Sequence, residues 1–424
     1  MPRAMDEEAI FRRLRQEVGS SIDYSQSLSD ELLMKRIEEA VFALPQELPL
    51  HFRKKNRLIR KVFSSFRGLD ILQPLLDDPA VTEIMVNSHT EIFYEQDGRI
   101  HPFTGGFDEP ARLEDMIQSI VSKVNRTVNE SQPIVDARLP DGSRVHVVLP
   151  PVALKGPTLT IRKFPSRPLT MEELVNRASI SAEAADLLRL AVQAKYNIFI
   201  SGGTGSGKTT FLNALSGWIP KDERIITIED SAELQIRQVE NLVSLETRNA
   251  NTEGKGQIGI RDLIRASLRM RPNRIIVGEV RGGEALEMLQ AMNTGHDGSL
   301  STGHSNSSKD MLSRLETMVL MGASLPVQVI RSQIASALDL LVHLSRMRDG
   351  SRRVVEISEV VGIEGENIET VPLFLFQESP CTDADSSIHK KIQGALCPTG
   401  HVLANRQKLR DSGLEAPPDR RGTA

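Results

Sequence analysis

The residues best suited to chemistry lie in one glycine-rich stretch, NIFISGGTGSGKTTFLNAL, from Asn197 to Leu215. Within it, G-x-x-x-x-G-K-T runs from Gly202 to Thr209, directly after an apolar strand pattern and before a helical one. Glycines let successive backbone N–H groups converge on phosphate oxygens, and the dipole of the following helix favours the same anion. The stretch therefore predicts a nucleoside triphosphate site. Its candidate ligands are Gly202, Gly203, Thr204, Gly205, Ser206, Gly207, Lys208, Thr209 and Thr210.

Two side chains of this loop and one carboxylate beyond it have chemical roles. Lys208 would reach the β- and γ-phosphates, and the Thr209 hydroxyl would ligate Mg²⁺. The sequence RIIVGEVRGG ends a further strand pattern at Glu279, the candidate catalytic base. Because Gly278 stands where many phosphate-loop enzymes have Asp, a second metal contact must come from elsewhere, such as water. The alternative is that Glu279 merely pairs with Arg281.

A third strand pattern, TIEDSAEL, ends in Glu229, Asp230 and Glu233. Carboxylates at the carboxyl edge of a parallel sheet lie where such sheets bind ligands. Glu229 is therefore a candidate for placing the attacking water or the magnesium shell. Taken alone, this acidic turn would more often be a helix-cap cluster.

The stretch TGHDGSLSTGH, from Thr294 to His304, holds two histidines eight residues apart. Their spacing is not one that zinc sites use, and no cysteine lies nearby in sequence. Glu279 occupies the better position for a general base. We therefore predict that His304 contacts the γ-phosphate or its water, and that His296 shapes the loop.

The surrounding pattern indicates how these residues are positioned. Between about 185 and 375, the apolar runs NIFIS, RIITIED, RIIVGE and DLLVHLS alternate with helical patterns, which predicts an α/β domain with a mainly parallel sheet. Four regions are expected: a helical region 1–66, an α+β module 67–165 with a hairpin turn at Gln96-Asp97-Gly98, a phosphate-loop domain 166–377, and a weakly patterned tail 378–424. The basic run 51–67 is either a solvated helix face or a contact surface for an acidic partner or a membrane leaflet.

Composition excludes several classes of protein. A net charge of −4 and 4% aromatic residues argue against a dedicated nucleic-acid binder. No apolar run of about 18 residues occurs, and the first residues lack the pattern of a signal peptide. The cysteines are Cys381 and Cys397, too few for a disulfide framework or a four-cysteine zinc module, so a reducing cytoplasm is expected.

Together these motifs resemble one family, the secretion and pilus-assembly ATPases of type II and type IV systems. The resemblance lies in GGTGSGKTT, IEDSAEL, LPDGSRV and RMRPNRIIVGEVRGGEALEMLQAMNTGHDGSLSTGHSNS, and it extends from about Leu69 to Phe376. Details such as VTEIMVN, DARLPDGSRV and LTIRKF look most like the CpaF branch, which is associated with tight-adherence (Flp) pili.

The resemblance implies a RecA-like P-loop motor domain that follows a PAS-like α+β module and an N-terminal helical segment. It implies a homo-hexamer that hydrolyses ATP with Mg²⁺ at the cytoplasmic face of an inner-membrane platform protein, with no stable nucleic-acid partner. On the matching positions, Lys208 and Thr209 bind phosphate and metal, Glu279 is catalytic, Glu229 supports it, and His304 lies near the γ-phosphate. Basic residues of the N-terminal module reach the same phosphates in this family. The candidates here are Arg138, Arg144 and Arg162, which are otherwise ordinary strand-surface arginines.

Other functions stay open at this point. A type IV secretion or conjugation motor would share every catalytic residue with a pilus-assembly motor. A RecA-like nucleic-acid translocase and a nucleotide-binding scaffold that does not hydrolyse ATP are the remaining alternatives.

Overall fold

The computed structural model describes residues 7–21, 29–44, 51–67, 69–96, 98–124, 126–164, 167–250, 255–379 and 392–415. The chain divides into two compact units, Met1–Ser166 and Arg167–Ala424. Two residues singled out from the sequence, Asp97 and Cys381, lie outside the described residues. Within the described ranges, no helix is long and apolar enough to cross a membrane.

The first unit begins with three helices, α1 (Glu7–Ser20), α2 (Asp30–Phe42) and α3 (Phe52–Arg67). They bury an apolar core of their own, made of residues such as Leu14, Ile37 and Val62. The helix α3 carries basic residues and no acidic ones. Leu58, Ile59 and Val62 of this helix face the core, whereas Phe52 and the basic side chains of the first two turns are largely exposed. The structure therefore agrees with either interpretation of this basic run.

The rest of the first unit is one antiparallel sheet with helices. A 3₁₀ turn (Asp70–Leu72) and α4 (Gln73–Asp77) precede β1 (Val81–Val86), β2 (Ile92–Gln96) and β3 (Arg99–Pro102). The helix α5 (Pro110–Lys123) leads to β4 (Ile134–Arg138), β5 (Arg144–Val148) and β6 (Thr158–Arg162). The strand order is β3-β2-β1-β6-β5-β4, and one face packs on a core shared with α5.

The second unit contains a nine-stranded sheet with helices. Its elements are α6 (Met171–Asn176), α7 (Ala182–Gln193), β7 (Ile198–Gly202), α8 (Lys208–Ser216), β8 (Ile225–Glu229), β9 (Leu242–Glu246), α9 (Ile260–Ser267), β10 (Arg274–Val277), α10 (Ala285–Asn293), β11 (Leu300–Gly303), α11 (Ser308–Gly322), α12 (Val327–Ala337), β12 (Leu340–Arg346), β13 (Arg352–Glu364), β14 (Asn367–Glu378), β15 (Gly394–Pro398) and α13 (Gln407–Asp411). The strand order is β15-β14-β13-β12-β7-β11-β10-β8-β9.

Six of these strands, β12 to β9 in that order, pair in parallel, and β13 to β15 extend the sheet antiparallel. The strands β7, β8, β10 and β11 are buried along their whole length. The continuous apolar runs of β7, β8 and β10 predict this burial, whereas β11 is Leu-Ser-Thr-Gly and has no such run. Hydrophobic clusters lie on both faces of the sheet. The predicted fold class, an α/β motor domain after an α+β module and a helical segment, is confirmed.

The region after residue 378 differs from the weakly patterned tail expected there. The strand β15 pairs with β14, and Leu396, Leu403 and Leu409 are buried in the core of the second unit. Lys408 Nζ lies 2.7 Å from Asp339 Oδ2. These leucines are widely spaced in a mostly polar segment, so their burial depends on distant contacts that no local pattern reveals.

A buried ion pair fixes the amino ends of the central strands. Arg274, at the start of β10, is fully buried and donates to Glu223 through Nε at 2.5 Å and through Nη2 at 2.9 Å. Its Nη1 donates to the carbonyl oxygen of Val192, at the end of α7, and to that of Gly298, before β11. One guanidinium therefore connects α7, β10 and the loop that leads to β11.

We expect Arg274→Met to lower the free energy of unfolding of the second unit by about 3 kcal/mol, because Glu223 would stay buried without its bidentate partner. Replacing both residues, with Glu223→Leu added, should recover part of this loss. Urea unfolding followed by the fluorescence of Trp218, the single tryptophan, reports on this unit. The exposed pair Arg189–Asp186 supplies the control, since Arg189→Met should cost no more than about 1 kcal/mol. An equal effect of the two single changes would contradict the role of the buried pair.

Candidate functional site

The phosphate loop connects the buried strand β7 to the first turn of α8. Gly207 caps α8 with a φ of 94°, and Gly202 and Gly205 also adopt positive φ angles. A side chain at Gly202 would collide with the carbonyl oxygen of Leu344 on the neighbouring strand β12. Gly203, Thr204 and Gly205 are exposed, so the open side of the loop faces solvent. The loop therefore has the strand–loop–helix context that phosphate binding requires.

Lys208 is buried and surrounded by acceptors. Its Nζ donates to the carbonyl oxygens of Gly202 and Gly203, each at 3.0 Å, and lies 3.2 Å from Nδ1 of His304. Because an ammonium group can only donate, Nδ1 of His304 is the acceptor in this contact. The Nε2 nitrogen of His304 therefore carries the proton in the neutral ring, and it lies 2.9 Å from Oε1 of Glu279.

Glu279 follows β10 and contacts two cationic or polar partners. Its Oε2 accepts a hydrogen bond from Nη2 of Arg281 at 2.8 Å, so the pairing weighed from the sequence does exist. Its Oε1 is buried and has no hydrogen bond of good geometry, despite the nearby His304. Arg281 therefore engages one carboxylate oxygen of Glu279, and the other, buried oxygen lies against His304.

The pKa values of these groups are set by burial and by each other. Burial acts to raise the pKa of Glu279, but Arg281, His304 and Lys208 outweigh it and hold the pKa below its ordinary value. The pKa of His304 is lowered, mainly by burial and then by Lys208. At neutral pH this cluster therefore contains an ionised Glu279 and a neutral His304.

Glu229 lies at the end of β8 and is buried beside Gly278. Its Oε1 accepts hydrogen bonds from the backbone nitrogens of Glu233 at 2.8 Å and Leu234 at 3.0 Å, which holds the acidic turn. A Cβ atom on Gly278 would lie 2.8 Å from Cγ of Glu229. The side chain of Glu229 thus fills the space that an Asp at position 278 would need, which accounts for the glycine there.

The two histidines of TGHDGSLSTGH lie at opposite ends of β11. Only His304 follows the carboxyl end of the strand and joins the cluster with Lys208 and Glu279. His296 precedes the strand, and its Nδ1 lies 3.2 Å from the carbonyl oxygen of Pro272, next to the start of β10. Asp297, beside it, pairs with Lys408 at 2.8 Å. His296 therefore shapes its loop as expected, but at the edge of the sheet away from the phosphate loop.

The three arginines predicted from the first unit form a row across its sheet. Arg138 on β4 is in register with Arg144 on β5, which is in register with Arg162 on β6. Glu83 on β1 continues the same row. Directly opposite residues of neighbouring strands project from the same face, so three guanidinium groups lie side by side.

The structure adds two residues that the sequence motifs did not reveal. Arg352, at the start of β13, donates from Nε to the carbonyl oxygen of Gly205 in the phosphate loop at 2.8 Å. His343 on β12 is buried, with Nδ1 2.8 Å from Oγ of Ser201 at the end of β7. The sequence offers only an indirect signal for Arg352 and His343. The strand pattern DLLVHLS, which becomes β12 beside β7, is followed by a hairpin turn, and β13 begins at the edge of the sheet where β12 ends.

The residues present fit a nucleotide with a magnesium ion. The hydroxyl of Ser206 is buried without a hydrogen bond, and the half-buried Thr209 directly follows Lys208. The described ranges contain no group of three or more His, Cys, Asp or Glu side chains suited to a metal. The hydroxyl of Thr209 is an oxygen ligand of the kind that Mg²⁺ takes together with phosphates and water.

Comparisons with known proteins agree with this geometry. Residues 66–403 match the family model described as Type II/IV secretion system protein. A putative conjugal transfer protein of Mycobacterium tuberculosis is 36% identical over 315 residues, which is 72% of this chain and 88% of the relative. Conjugal transfer protein TrbB of Rhizobium radiobacter is 37% identical over 322 residues, which is 75% of this chain and 95% of the relative.

Among solved structures, the pilus retraction motor PilT with bound ADP is similar to this chain with a TM-score of 0.51 at 19% identity. The match covers 70% of this chain and 83% of that motor. At this identity the likeness concerns the fold alone, and it agrees with the RecA-like motor domain. The relatives named here are conjugal transfer proteins, so the finer assignment to the CpaF branch stays a prediction.

We expect Gly278→Ala to displace Glu229 and to lower stability by about 1–3 kcal/mol, because the added methyl group overpacks this contact. Unfolding followed by Trp218 fluorescence measures the effect. The control is Gly259→Ala, where the added atom would meet only Asp262 Oδ2 at 3.8 Å and φ is −93°. The double variant Gly278→Ala with Glu229→Ala should lose less free energy of unfolding than the sum of the losses in the two single variants. Equal stability of Gly278→Ala and its control would refute the steric account.

Proposed function

Because the chain belongs to the type II/IV secretion system protein family, we propose that it is a Mg²⁺-dependent ATPase that powers pilus assembly or protein export. The observation that carries the proposal is one continuous arrangement at the carboxyl edge of the parallel sheet. Lys208 of the phosphate loop contacts His304, and His304 contacts Glu279. A phosphate-binding cation, a neutral imidazole and an ionised carboxylate are therefore adjacent.

Each of these groups has a role in the proposed hydrolysis. Lys208 binds the β- and γ-phosphates, and Thr209 supplies the protein ligand of Mg²⁺. When bound, Mg²⁺ neutralises charge that develops on the phosphate oxygens. Glu279 orients the attacking water, and Glu229 holds the acidic turn beside it. His304 responds to the phosphate because it contacts Lys208.

The arginine row of the first unit belongs to the same proposal. Arg138, Arg144 and Arg162 are taken as phosphate ligands, as the family resemblance implies. The pairing register places these three guanidinium groups on one face of the sheet, where one anion can contact more than one of them. Guanidinium groups suit this task because their planar donors match phosphate oxygens.

The proposed setting is a homo-hexamer at the cytoplasmic face of the inner membrane, where it acts on a platform protein and has no stable nucleic-acid partner. The sequence details favour the tight-adherence pilus branch. The names of the relatives favour a conjugation-type motor as the second candidate. Both candidates use the same catalytic residues, so cargo distinguishes them.

Purified protein should hydrolyse ATP, and Glu279→Gln should lower turnover at least about 100-fold while keeping nucleotide binding, because the water loses its carboxylate. Lys208→Ala should weaken binding as well as turnover. Phosphate release and titration with a fluorescent ATP analogue measure the two effects, and light scattering measures assembly. The control is Lys309→Ala, which removes an exposed charge on α11.

The proposed ATPase would be refuted by wild-type protein that binds nucleotide and forms rings but does not turn over, alone or with its membrane partner. That result would support a scaffold. Strong stimulation by DNA with a steep salt dependence would instead support a nucleic-acid translocase.

In cells, we expect deletion of this protein to abolish surface pili, and complementation with Glu279→Gln not to restore them. Electron microscopy and analysis of the exported proteins are the measurements, and membrane fractionation tests the peripheral location. If the deletion strain keeps normal pili but no longer transfers DNA or exports protein, the conjugation or secretion motor is supported instead.

A further inference from the structure

A cleft of about 680 Å³ opens beside the phosphate loop in the second unit. It begins at Gly203 and Thr204, passes His304 and Arg281, and continues along one face of α11 past Arg314. Most of its remaining wall consists of hydroxyl and amide side chains, followed by two methionines at the far end. The cleft is thus continuous with the open side of the loop and leads away from it.

The two arginines of this cleft differ in whether they have an ion pair. Arg281 already donates to Glu279 at 2.8 Å. Arg314 has no ion pair or hydrogen bond within the part of the chain that the structure describes, although it is one helical turn from Asp310, the only acidic residue of the cleft wall. Arg281 and Arg314 both act to lower the pKa of His304, so their positive fields overlap at the inner end of the cleft.

We propose that this cleft receives the inorganic phosphate formed by hydrolysis, with Arg314 as its principal cation. The inference rests on the proposed ATPase function. In that reaction, water oxygen bonds to the γ-phosphorus, the bond from phosphorus to the bridging oxygen breaks, and its electron pair stays on ADP. Of the two protons of the water, one is released to solvent and the other stays on the product, which leaves as hydrogen phosphate.

The charges along the cleft favour movement of the product phosphate from Glu279 towards Arg314. The ionised Glu279 repels a phosphate dianion, and its own cation, Arg281, is already engaged. Arg314 lies further along the same cleft with its charge unpaired, and a guanidinium group binds phosphate oxygens through two parallel hydrogen bonds. The hydroxyl groups of the wall can supply further donors.

The test uses inorganic phosphate and the full chain. In steady-state hydrolysis, Arg314→Gln should raise the ratio of the inhibition constant for phosphate to the KM for ATP about tenfold, the usual size of one charge-assisted contact. Arg314→Lys should restore part of this ratio. The matched control is Lys309→Gln, an exposed cation on α11 that does not line the cleft, and it should leave the ratio at the wild-type value.

A second measurement separates this inference from the proposed function. Binding of phosphate to protein saturated with ADP can be followed by ³¹P NMR without turnover. If the wild-type protein binds phosphate more tightly than Arg314→Gln does, yet hydrolyses no ATP, the cleft is supported and the ATPase is refuted. Wild-type protein that hydrolyses ATP but whose phosphate inhibition is unchanged in Arg314→Gln would overturn the cleft. A rise in the KM for ATP equal to the rise in the inhibition constant for phosphate would also overturn it, because Arg314 would then be a nucleotide ligand. Bound phosphate that only an acidic peptide displaces would overturn it as well.

Discussion

The site is organised by one buried positive charge. Only 7% of Lys208 is exposed, and its ammonium group is held by two carbonyl oxygens of its own loop and by a neutral imidazole. A buried ammonium group at the open side of a glycine-rich loop is suited to an anionic ligand. In the proposed function, the glycines of the loop, the tautomer of His304 and the position of Glu279 serve to place that charge beside phosphate.

Much of the fold follows from local patterns. The continuous apolar runs of β7, β8 and β10 identify buried parallel strands, and the carboxyl ends of parallel strands meet at one edge. That rule is enough to bring Lys208, Glu229 and Glu279 together, since each follows or ends one of these strands. The strand β11, Leu-Ser-Thr-Gly, has no apolar run, and only its pairing in the sheet places His304 beside them and His296 at the opposite edge.

Other features depend on contacts that sequence spacing does not encode. Gly278 is explained only when the side chain of Glu229 is seen to occupy the neighbouring space. Arg352 reaches the phosphate loop because a hairpin brings it back across 147 positions of sequence, and no motif marks it. The register that aligns Arg138, Arg144 and Arg162 likewise depends on the pairing of three strands rather than on any one of them.

The segment 392–415 has a consequence for the order in which the protein is made. Its strand β15 and helix α13 complete the core around β7, and the hydroxyl of Tyr196 donates to the carbonyl oxygen of Asn405 across 209 positions of sequence. Lys408 also forms ion pairs with Asp297 and Asp339. The strand that carries the phosphate loop leaves the ribosome long before these partners are synthesised, so the motor domain cannot finish folding during that interval. Such distant pairing folds slowly, and the apolar surface that Leu396, Leu403 and Leu409 cover stays exposed meanwhile.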